Sequence, residues 1–178
     1  HEQAVKKIIE EEFPEAYISL SSEVLPQFRE YERFTTTALN AFIGPKVSDY
    51  LNNLSTSLSD NGFKGDFHLM QSAGGVATVK AAAQKPVSLL MSGPAAGGLG
   101  GIWISELTGH KDIIVLDVGG TSADISVIKN KKIRMKHLLD TKIGDYSAMV
   151  PVLDVSTIGA GGGSIAYIDD GGFFRVGP

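Results

Sequence analysis

The apolar residues of this chain follow a helical period near its start and form short, strand-like runs later. Residues Glu2 to Glu12 place their apolar positions on one face and their lysines and glutamates elsewhere, which predicts an amphipathic helix. A longer helical pattern runs from about Glu30 to Ser59, and Gly44-Pro45 is expected to break or offset it. The first third of the chain is therefore expected to be mainly helical.

Beyond residue 62, short apolar runs alternate with glycine-rich segments, which predicts strands joined by turns. One helix is expected from Ser92 to about Leu107, with Pro94 in its first turn and Gly109 as its C-terminal stop. A shorter helix is expected from Val79 to Gln84. Strands are predicted at residues 17–20, 66–70, 132–139, 165–168 and 173–176, and at both ends of the segment 114–128. Residues 87–91 are predicted to form a strand or an extended approach, and residues 150–155 are predicted to be extended.

These elements predict an α/β fold: a mixed sheet with flanking helices, in which strand–helix–strand segments supply the crossovers and hairpins extend one end. The chain opens on His1, inside a predicted helix, and stops directly after a predicted strand. We therefore expect residues 1–178 to be a single fragment of a longer polypeptide. Within it, residues 1–62 are expected to form a mainly helical segment and residues 63–178 an α/β segment.

Composition narrows the classes of function. The net charge of −4 argues against a general nucleic-acid binder, whose domain is normally basic. No apolar run approaches the roughly 20 residues that a membrane span needs. The absence of cysteine excludes disulfides and thiolate metal sites, and it fits a cytoplasmic location.

The segment from Ile114 to Ile128 carries the strongest chemical signal. It places an Asp-x-Gly-Gly-Thr-x-x-Asp turn, residues 117–124, between two apolar strands. Gly119 and Gly120 permit positive φ angles and expose successive backbone N–H groups, which can form a concavity for phosphate oxygens. Thr121 and Ser122 add hydroxyl donors. The alternative is a plain β-hairpin with a tight glycine turn.

Two carboxylates flank this turn. Asp117 and Asp124 lie beside the expected concavity, where a hydrated Mg²⁺ or a proton-transfer partner would be placed. Asp124 is equally suited to accept hydrogen bonds from the N–H groups of the turn itself.

Glycines cluster at residues 74–75, 93–101, 119–120, 159–163 and 171–172. Most clusters follow predicted strands, and in open α/β sheets ligands bind beyond the ends of strands. Converging glycine loops would then form a phosphate cradle; the alternative is that each cluster only makes a turn. The segment Gly159–Gly163 resembles a dinucleotide loop in composition. However, residues 164–168 alternate like a strand, whereas a dinucleotide loop opens a helix.

These motifs together resemble known proteins. Residues 117–124 resemble the second phosphate motif of the actin, sugar-kinase and heat-shock ATPase superfamily, and Gly93-Pro94-Ala95-Ala96 resembles its first connecting helix. The fold implied is part of an actin-like (ribonuclease H-like) ATPase lobe. More narrowly, the chain resembles the hydantoinase A / 5-oxoprolinase family, in the segments 1–3, 21–33, 70–75, 92–97 and 157–166.

The family resemblance implies an ATP-dependent enzyme with Mg²⁺. Members hydrolyse cyclic amides such as hydantoins and 5-oxoproline or carboxylate ketones, and ATP activates the substrate oxygen by phosphorylation. A hydantoinase B type subunit or domain is the implied partner. The fragment lacks the family's first phosphate loop, so the resemblance implies one side of the nucleotide cleft and little activity in isolation.

The resemblance also assigns residue roles. The catalytic positions are Asp117, which would hold the metal through water or orient the nucleophile, and Asp124. The terminal phosphates would be bound by Gly119, Gly120, Thr121 and Ser122. The second glycine segment would either approach the nucleotide or substrate or form a purely structural loop. Its residues are Gly159, Gly161, Gly162 and Gly163. The alternative function is a chaperone-type or reactivase-type ATPase of the same superfamily, without covalent substrate chemistry.

Overall fold

The computed structural model describes residues 1–177; Pro178, the last residue of the predicted α/β segment, lies outside the described residues. The chain divides into two compact units. The first unit comprises His1–Ser92 and His137–Val152, and the second comprises Gly93–Lys136 and Leu153–Pro178. Because the units are interleaved along the chain, they do not coincide with the sequential segments 1–62 and 63–178. Those segments stay a prediction for the longer polypeptide.

Five α-helices are present in the described residues. They are α1 (Glu2–Glu12), α2 (Ser21–Val24), α3 (Glu30–Asp60), α4 (Val79–Gln84) and α5 (Ser92–Thr108). Two 3₁₀ turns occur at Pro86–Leu89 and Leu138–Asp140. No helix in the described part of the chain combines the length and hydropathy that crossing a membrane requires.

The strands are short. They are β1 (His68–Met70), β2 (Val76–Thr78), β3 (Ile113–Val118), β4 (Ala123–Lys129), β5 (Lys132–Ile133), β6 (Lys142–Ile143), β7 (Tyr146–Ser147), β8 (Val155–Ile158), β9 (Ile165–Ile168) and β10 (Phe174–Gly177). The α/β class is confirmed. The predicted strand–helix–strand crossovers are wrong, because every strand pair within residues 1–177 is antiparallel.

Helix α3 continues through Pro45, so the predicted break at Gly44-Pro45 is wrong. Proline removes one helical hydrogen bond, but packing on both sides of it holds the axis. Leu39 and Ile43 pack against a core cluster that contains Val24, Val87 and Val150. Further along, Val47 and Leu51 belong to a second cluster with Ala77 and Ala82. One long helix therefore packs against both hydrophobic clusters, one before Pro45 and one after it.

The predicted strand at residues 17–20 is also wrong, and the following segment contains helix α2. Residues 17–20 have no strand partner within the described chain, and the Tyr17 hydroxyl instead donates to the carbonyl of Ala83 at 2.6 Å. The carboxylate of Glu2 lies at the start of α2. It accepts hydrogen bonds from the hydroxyls of Ser21 and Ser22 and from the Ser22 N–H. A carboxylate at a helix N-terminus stabilises the helix.

Two further strand predictions are corrected. Residues 87–91 form the end of a 3₁₀ turn rather than a strand, and the predicted strand 132–139 is reduced to β5. After β5, Met135 makes a single bridge to Leu153, and the chain then enters the 3₁₀ turn at Leu138–Asp140. Both segments are apolar enough for a strand, but neither finds a neighbour over its whole length.

The first unit contains a buried polar junction at Asn40, which is completely buried. Its Nδ2 donates to Ser19 Oγ at 2.9 Å and to the Gln84 carbonyl at 3.3 Å. Its Oδ1 accepts the N–H of Val87 at 3.2 Å. One side chain of α3 therefore satisfies the backbone at the end of α4 and in the 3₁₀ turn that follows it.

The second unit is built on a four-stranded antiparallel sheet. Strand β4 pairs with β3 on one edge and with β5 and β8 on the other. Helix α5 packs closely on one face at Gly98 and Gly101, where an added Cβ would meet Ile133, Val115 and Ile128. The opposite face stays open: five apolar side chains are between 47% and 72% exposed, namely Ile114, Leu116, Val118, Val127 and Ile158.

Candidate phosphate-binding site

The turn between β3 and β4 has the strand–turn–strand form that the sequence predicts. Four residues, 119–122, connect the two strands, and the Gly119 N–H donates to the Ser122 carbonyl at 2.9 Å, which closes the turn. Asp117 and Asp124 are directly opposite each other in the register of β3 and β4. The pairing therefore places both carboxylate-bearing residues on the same face of the sheet.

A second glycine-rich segment lies against this turn. The Gly162 N–H donates to the Gly119 carbonyl at 2.8 Å, and the Gly163 N–H donates to the Gly120 carbonyl at 2.9 Å. The approach requires glycine at position 161, because an added Cβ would lie 2.6 Å from the Gly119 carbonyl oxygen. Two segments more than 35 residues apart in the sequence are thus joined by backbone alone.

Some of the N–H groups that were predicted to bind phosphate donate hydrogen bonds within the protein, and others do not. The N–H groups of Gly162 and Gly163 are engaged by the turn, and the Gly161 N–H donates to Ser164 Oγ at 3.0 Å. These three contacts favour the structural alternative for the 161–163 segment, and its contact with nucleotide stays a prediction. Within residues 1–177 Gly159 makes no backbone hydrogen bond to the turn, and an added Cβ there would meet nothing within 4 Å.

The available donors lie at the tip of the turn. Within residues 1–177 the N–H groups of Gly120 and Thr121 donate to no protein acceptor, and both residues are exposed. The Thr121 hydroxyl adds a third donor at the same place. Ser122 is half-buried, and its nitrogen is covered by Gly161, whose added Cβ would lie 2.7 Å from it. The N–H groups open to a ligand are therefore those of residues 120 and 121, although neither Gly119 nor Gly120 has the positive φ angle that the sequence led us to expect.

The two carboxylates differ in their surroundings. Asp124 is half-buried, and its Oδ1 accepts the Thr157 hydroxyl at 2.5 Å. Asp117 is exposed, and its Oδ2 lies near α5, 3.9 Å from the position of a Cβ added at Gly97. Asp117 is therefore free to act toward a ligand, whereas Asp124 is held by a neighbour.

Thr157 was missed by the sequence interpretation. It opens the second glycine segment, but its contact with Asp124 depends on the pairing of β4 with β8. Only the register of that pairing, which places Asp124 opposite Thr157, could have revealed it.

The donor set suits hydrated Mg²⁺ bound to a phosphate. No group of three or more His, Cys, Asp or Glu side chains is gathered as a metal site within residues 1–177. Magnesium usually keeps several waters and is held by one or two carboxylates plus substrate phosphates. A single exposed carboxylate, Asp117, on the strand that leads into the turn of Gly120 and Thr121 fits that pattern, because the phosphate itself would supply further ligands.

Comparison with known proteins gives consistent results. The family model described as Hydantoinase/oxoprolinase matches residues 33–178. The caprolactamase subunit alpha of Pseudomonas jessenii is 34% identical over 178 residues, which cover 100% of this chain and 25% of that protein.

Solved structures agree with these sequence matches. The crystal structure of the ATP-dependent caprolactamase from Pseudomonas jessenii aligns with a TM-score of 0.83 and 33% identity, over 100% of this chain and 26% of that one. The nucleotide-free structure of acetone carboxylase, described as an ATP-dependent enzyme, aligns with a TM-score of 0.77 and 26% identity, over 99% of this chain and 24% of that one. The chain therefore spans about a quarter of the length of these relatives.

Proposed function

Since the chain belongs to the hydantoinase/oxoprolinase family, we propose that the protein uses ATP to hydrolyse a cyclic amide of the hydantoin or 5-oxoproline type. The observation that carries this proposal is the pair of open N–H groups at Gly120 and Thr121, in the turn that directly follows the strand bearing the exposed Asp117. Backbone donors next to a carboxylate are the groups that a Mg²⁺-bound phosphate requires.

Each residue of the site has a distinct proposed role. Gly120 and Thr121 donate to the terminal phosphates of the nucleotide. Asp117 holds the metal through water, and Asp124 positions the loop through Thr157. Gly119 and Ser122 close the turn through their mutual hydrogen bond, and the segment 161–163 supports it from behind. ATP, when bound, would supply a phosphoryl group to the amide oxygen, with ADP as the leaving group. Water would then add to the adjacent carbon, the ring C–N bond would break as the nitrogen takes a proton, and a second water would release inorganic phosphate and leave the carboxylate.

A partner is part of the proposal. The relative from Pseudomonas jessenii is a subunit alpha, which supports assembly with a second subunit. We assign that partner to the hydantoinase B type and the location to the cytoplasm. Ketone carboxylation is the second candidate reaction, because the chain also aligns with acetone carboxylase over 99% of its length.

Turnover by the full-length protein tests the proposal. ATP hydrolysis is measured with Mg²⁺, with and without 5-oxoproline, hydantoins, lactams and ketones, for the wild type, Asp117→Asn and Asp154→Asn. Asp154 is an exposed aspartate of the same unit and serves as the matched control. We expect substrate-stimulated turnover that falls at least about tenfold in Asp117→Asn, as for residues that orient a metal's ligands, and that persists in Asp154→Asn.

The other outcomes are equally informative. ATP turnover that no amide or ketone changes would contradict the proposal and favour the chaperone-type ATPase. Turnover that Asp117→Asn leaves intact would mean that the turn is only a structural hairpin.

A further inference from the structure

A small cavity lies within the first unit, and no residue of the phosphate-binding turn lines it. Its volume is about 170 Å³, and its walls include Gln71, Lys85 and Ser88 as well as the apolar side chains of Val87, Met149 and Val150. Pockets for drug-sized ligands are typically about 300–1,000 Å³, so this cavity suits a much smaller molecule and cannot hold a nucleotide.

The polar wall of the cavity is fixed by hydrogen bonds. Ser88 Oγ donates to the Lys85 carbonyl at 2.8 Å and accepts Gln71 Nε2 at 3.2 Å. Behind them, the hydroxyl of the fully buried Ser72 donates to the Ser88 carbonyl at 2.7 Å and accepts the Met91 N–H at 3.1 Å. One amide hydrogen of Gln71 is therefore engaged by Ser88 before any ligand arrives.

Lys85 brings a positive charge that the described chain does not balance. No carboxylate lies within 4.0 Å of its ammonium group among residues 1–177. Lys85 is half-buried, and this burial lowers the pKa of its amine. A bound anion would restore the lost stabilisation of the charged form. Lys85 thus contributes to the cavity wall and carries a partly desolvated amine that pairs with no carboxylate of residues 1–177.

The remaining walls indicate which anion fits. Phosphate sites usually combine a lysine or an arginine with several further N–H donors, and this cavity offers a single lysine with one amide side chain. Apolar side chains make up most of the other surface, which favours a ligand with one charged end and an apolar body.

We propose that this cavity binds a small organic carboxylate, with the carboxylate against the Lys85 ammonium and the Gln71 amide, and the hydrocarbon part against Val87 and Val150. This proposal does not depend on the proposed nucleotide chemistry. Gln71 keeps one carboxamide N–H and its oxygen available, since its hydrogen bond to Ser88 uses one donor.

Calorimetric titration of the full-length protein with sodium isobutyrate, at constant ionic strength, tests the proposal. Inorganic phosphate and chloride are the comparison anions. We expect saturable binding of isobutyrate, weakened at least about tenfold in Lys85→Met because a charge-assisted hydrogen bond is removed. Lys80→Met is the matched control: Lys80 is exposed on α4, and it is not part of the cavity wall.

Two further measurements distinguish loss of the binding site from misfolding of the Lys85→Met variant. Gln71→Glu places a carboxylate in the cavity to pair with Lys85, so it should abolish isobutyrate binding while the charge is balanced internally. In the wild type, isobutyrate should slow acetylation of Lys85 by an amine-reactive ester without changing that of Lys80. The proposal is overturned if isobutyrate does not saturate, if Lys85→Met binds it equally well, or if phosphate or chloride binds as tightly.

Discussion

In each of the two units, hydrogen bonds join segments that are distant in the sequence. A side chain makes these bonds in the first unit, and backbone groups make them in the second. In the first unit, the buried side chain of Asn40 connects α3 to Ser19, Gln84 and Val87 through three hydrogen bonds. In the second unit, the 119–122 turn and the 161–163 segment meet through backbone groups only, because glycine leaves no side chain between them. The first junction is completely buried, whereas the second lies next to exposed residues.

The difference shows what each kind of junction is suited to do. A side chain with every hydrogen bond satisfied specifies one packing arrangement of a core. A backbone junction made of glycines brings two loops close together and leaves their outer surface free of side chains. The second arrangement keeps N–H groups accessible to a ligand, which is the feature on which the proposed phosphate site depends.

The largest expected effect comes from breaking the buried junction. Asn40→Ala removes three hydrogen bonds and leaves the Val87 N–H and the Gln84 carbonyl without this partner. We expect the free energy of unfolding of the first unit to fall by about 3 kcal/mol. Urea denaturation followed by circular dichroism measures this change, with Asn53→Ala, an exposed asparagine of the same helix, as the control. Equal effects of the two substitutions would contradict the role assigned to Asn40.

The backbone junction should break with a smaller loss. Gly161→Ala would place a Cβ 2.6 Å from the Gly119 carbonyl oxygen, so the loops must separate and lose the hydrogen bonds of Gly162 and Gly163. We expect a cost of about 2 kcal/mol in the second unit and weaker nucleotide binding by the full-length protein.

Gly159→Ala is the matched control for that substitution, because an added Cβ there meets nothing within 4 Å. Hydrogen exchange of the Gly162 and Gly163 amides reports the separation of the loops directly, because these amides donate the hydrogen bonds to the turn. If Gly161→Ala and Gly159→Ala exchange alike, the close approach of the two segments is not needed for the turn.

Parts of this comparison could be predicted from the sequence. Helix α1 and the Asp117–Asp124 turn follow from local patterns, because helical periodicity and glycine turns are short-range signals. The pairing of β8 with β4 could not be predicted, since it joins segments about 30 residues apart and carries no local signal. The continuity of α3 through Pro45 was hidden for the same reason: the packing that overrides the proline comes from residues distant in sequence.

The smallest effect on stability is expected from substitution of Glu2. Glu2 also joins segments through its side chain, but it does so at the protein surface. Hydrogen bonds from Ser21 and Ser22 lower the pKa of its carboxyl from 4.5 to about 2. Because the folded state favours the ionised form, the contact stabilises the fold fully above about 4.5, and this stabilisation is lost as the pH falls toward about 2.

Glu2→Gln should therefore weaken the docking of α1 against α2 at neutral pH and remove this part of the acid sensitivity. Urea midpoints measured across the acid range test this expectation, with Glu11→Gln, an exposed glutamate of the same helix, as the control. A wild-type midpoint that falls with acid no faster than that of Glu2→Gln would refute it.

The open apolar face of the β4 sheet has a practical consequence for work with the isolated chain. Dyes that fluoresce on apolar surfaces are commonly used to detect loosened, molten states. Here Ile114, Leu116 and Val118 already offer such a surface in the folded protein. We therefore expect strong dye fluorescence even from a well-folded sample. A defined near-ultraviolet circular dichroism spectrum, rather than the absence of dye fluorescence, should be used to show that the chain is folded.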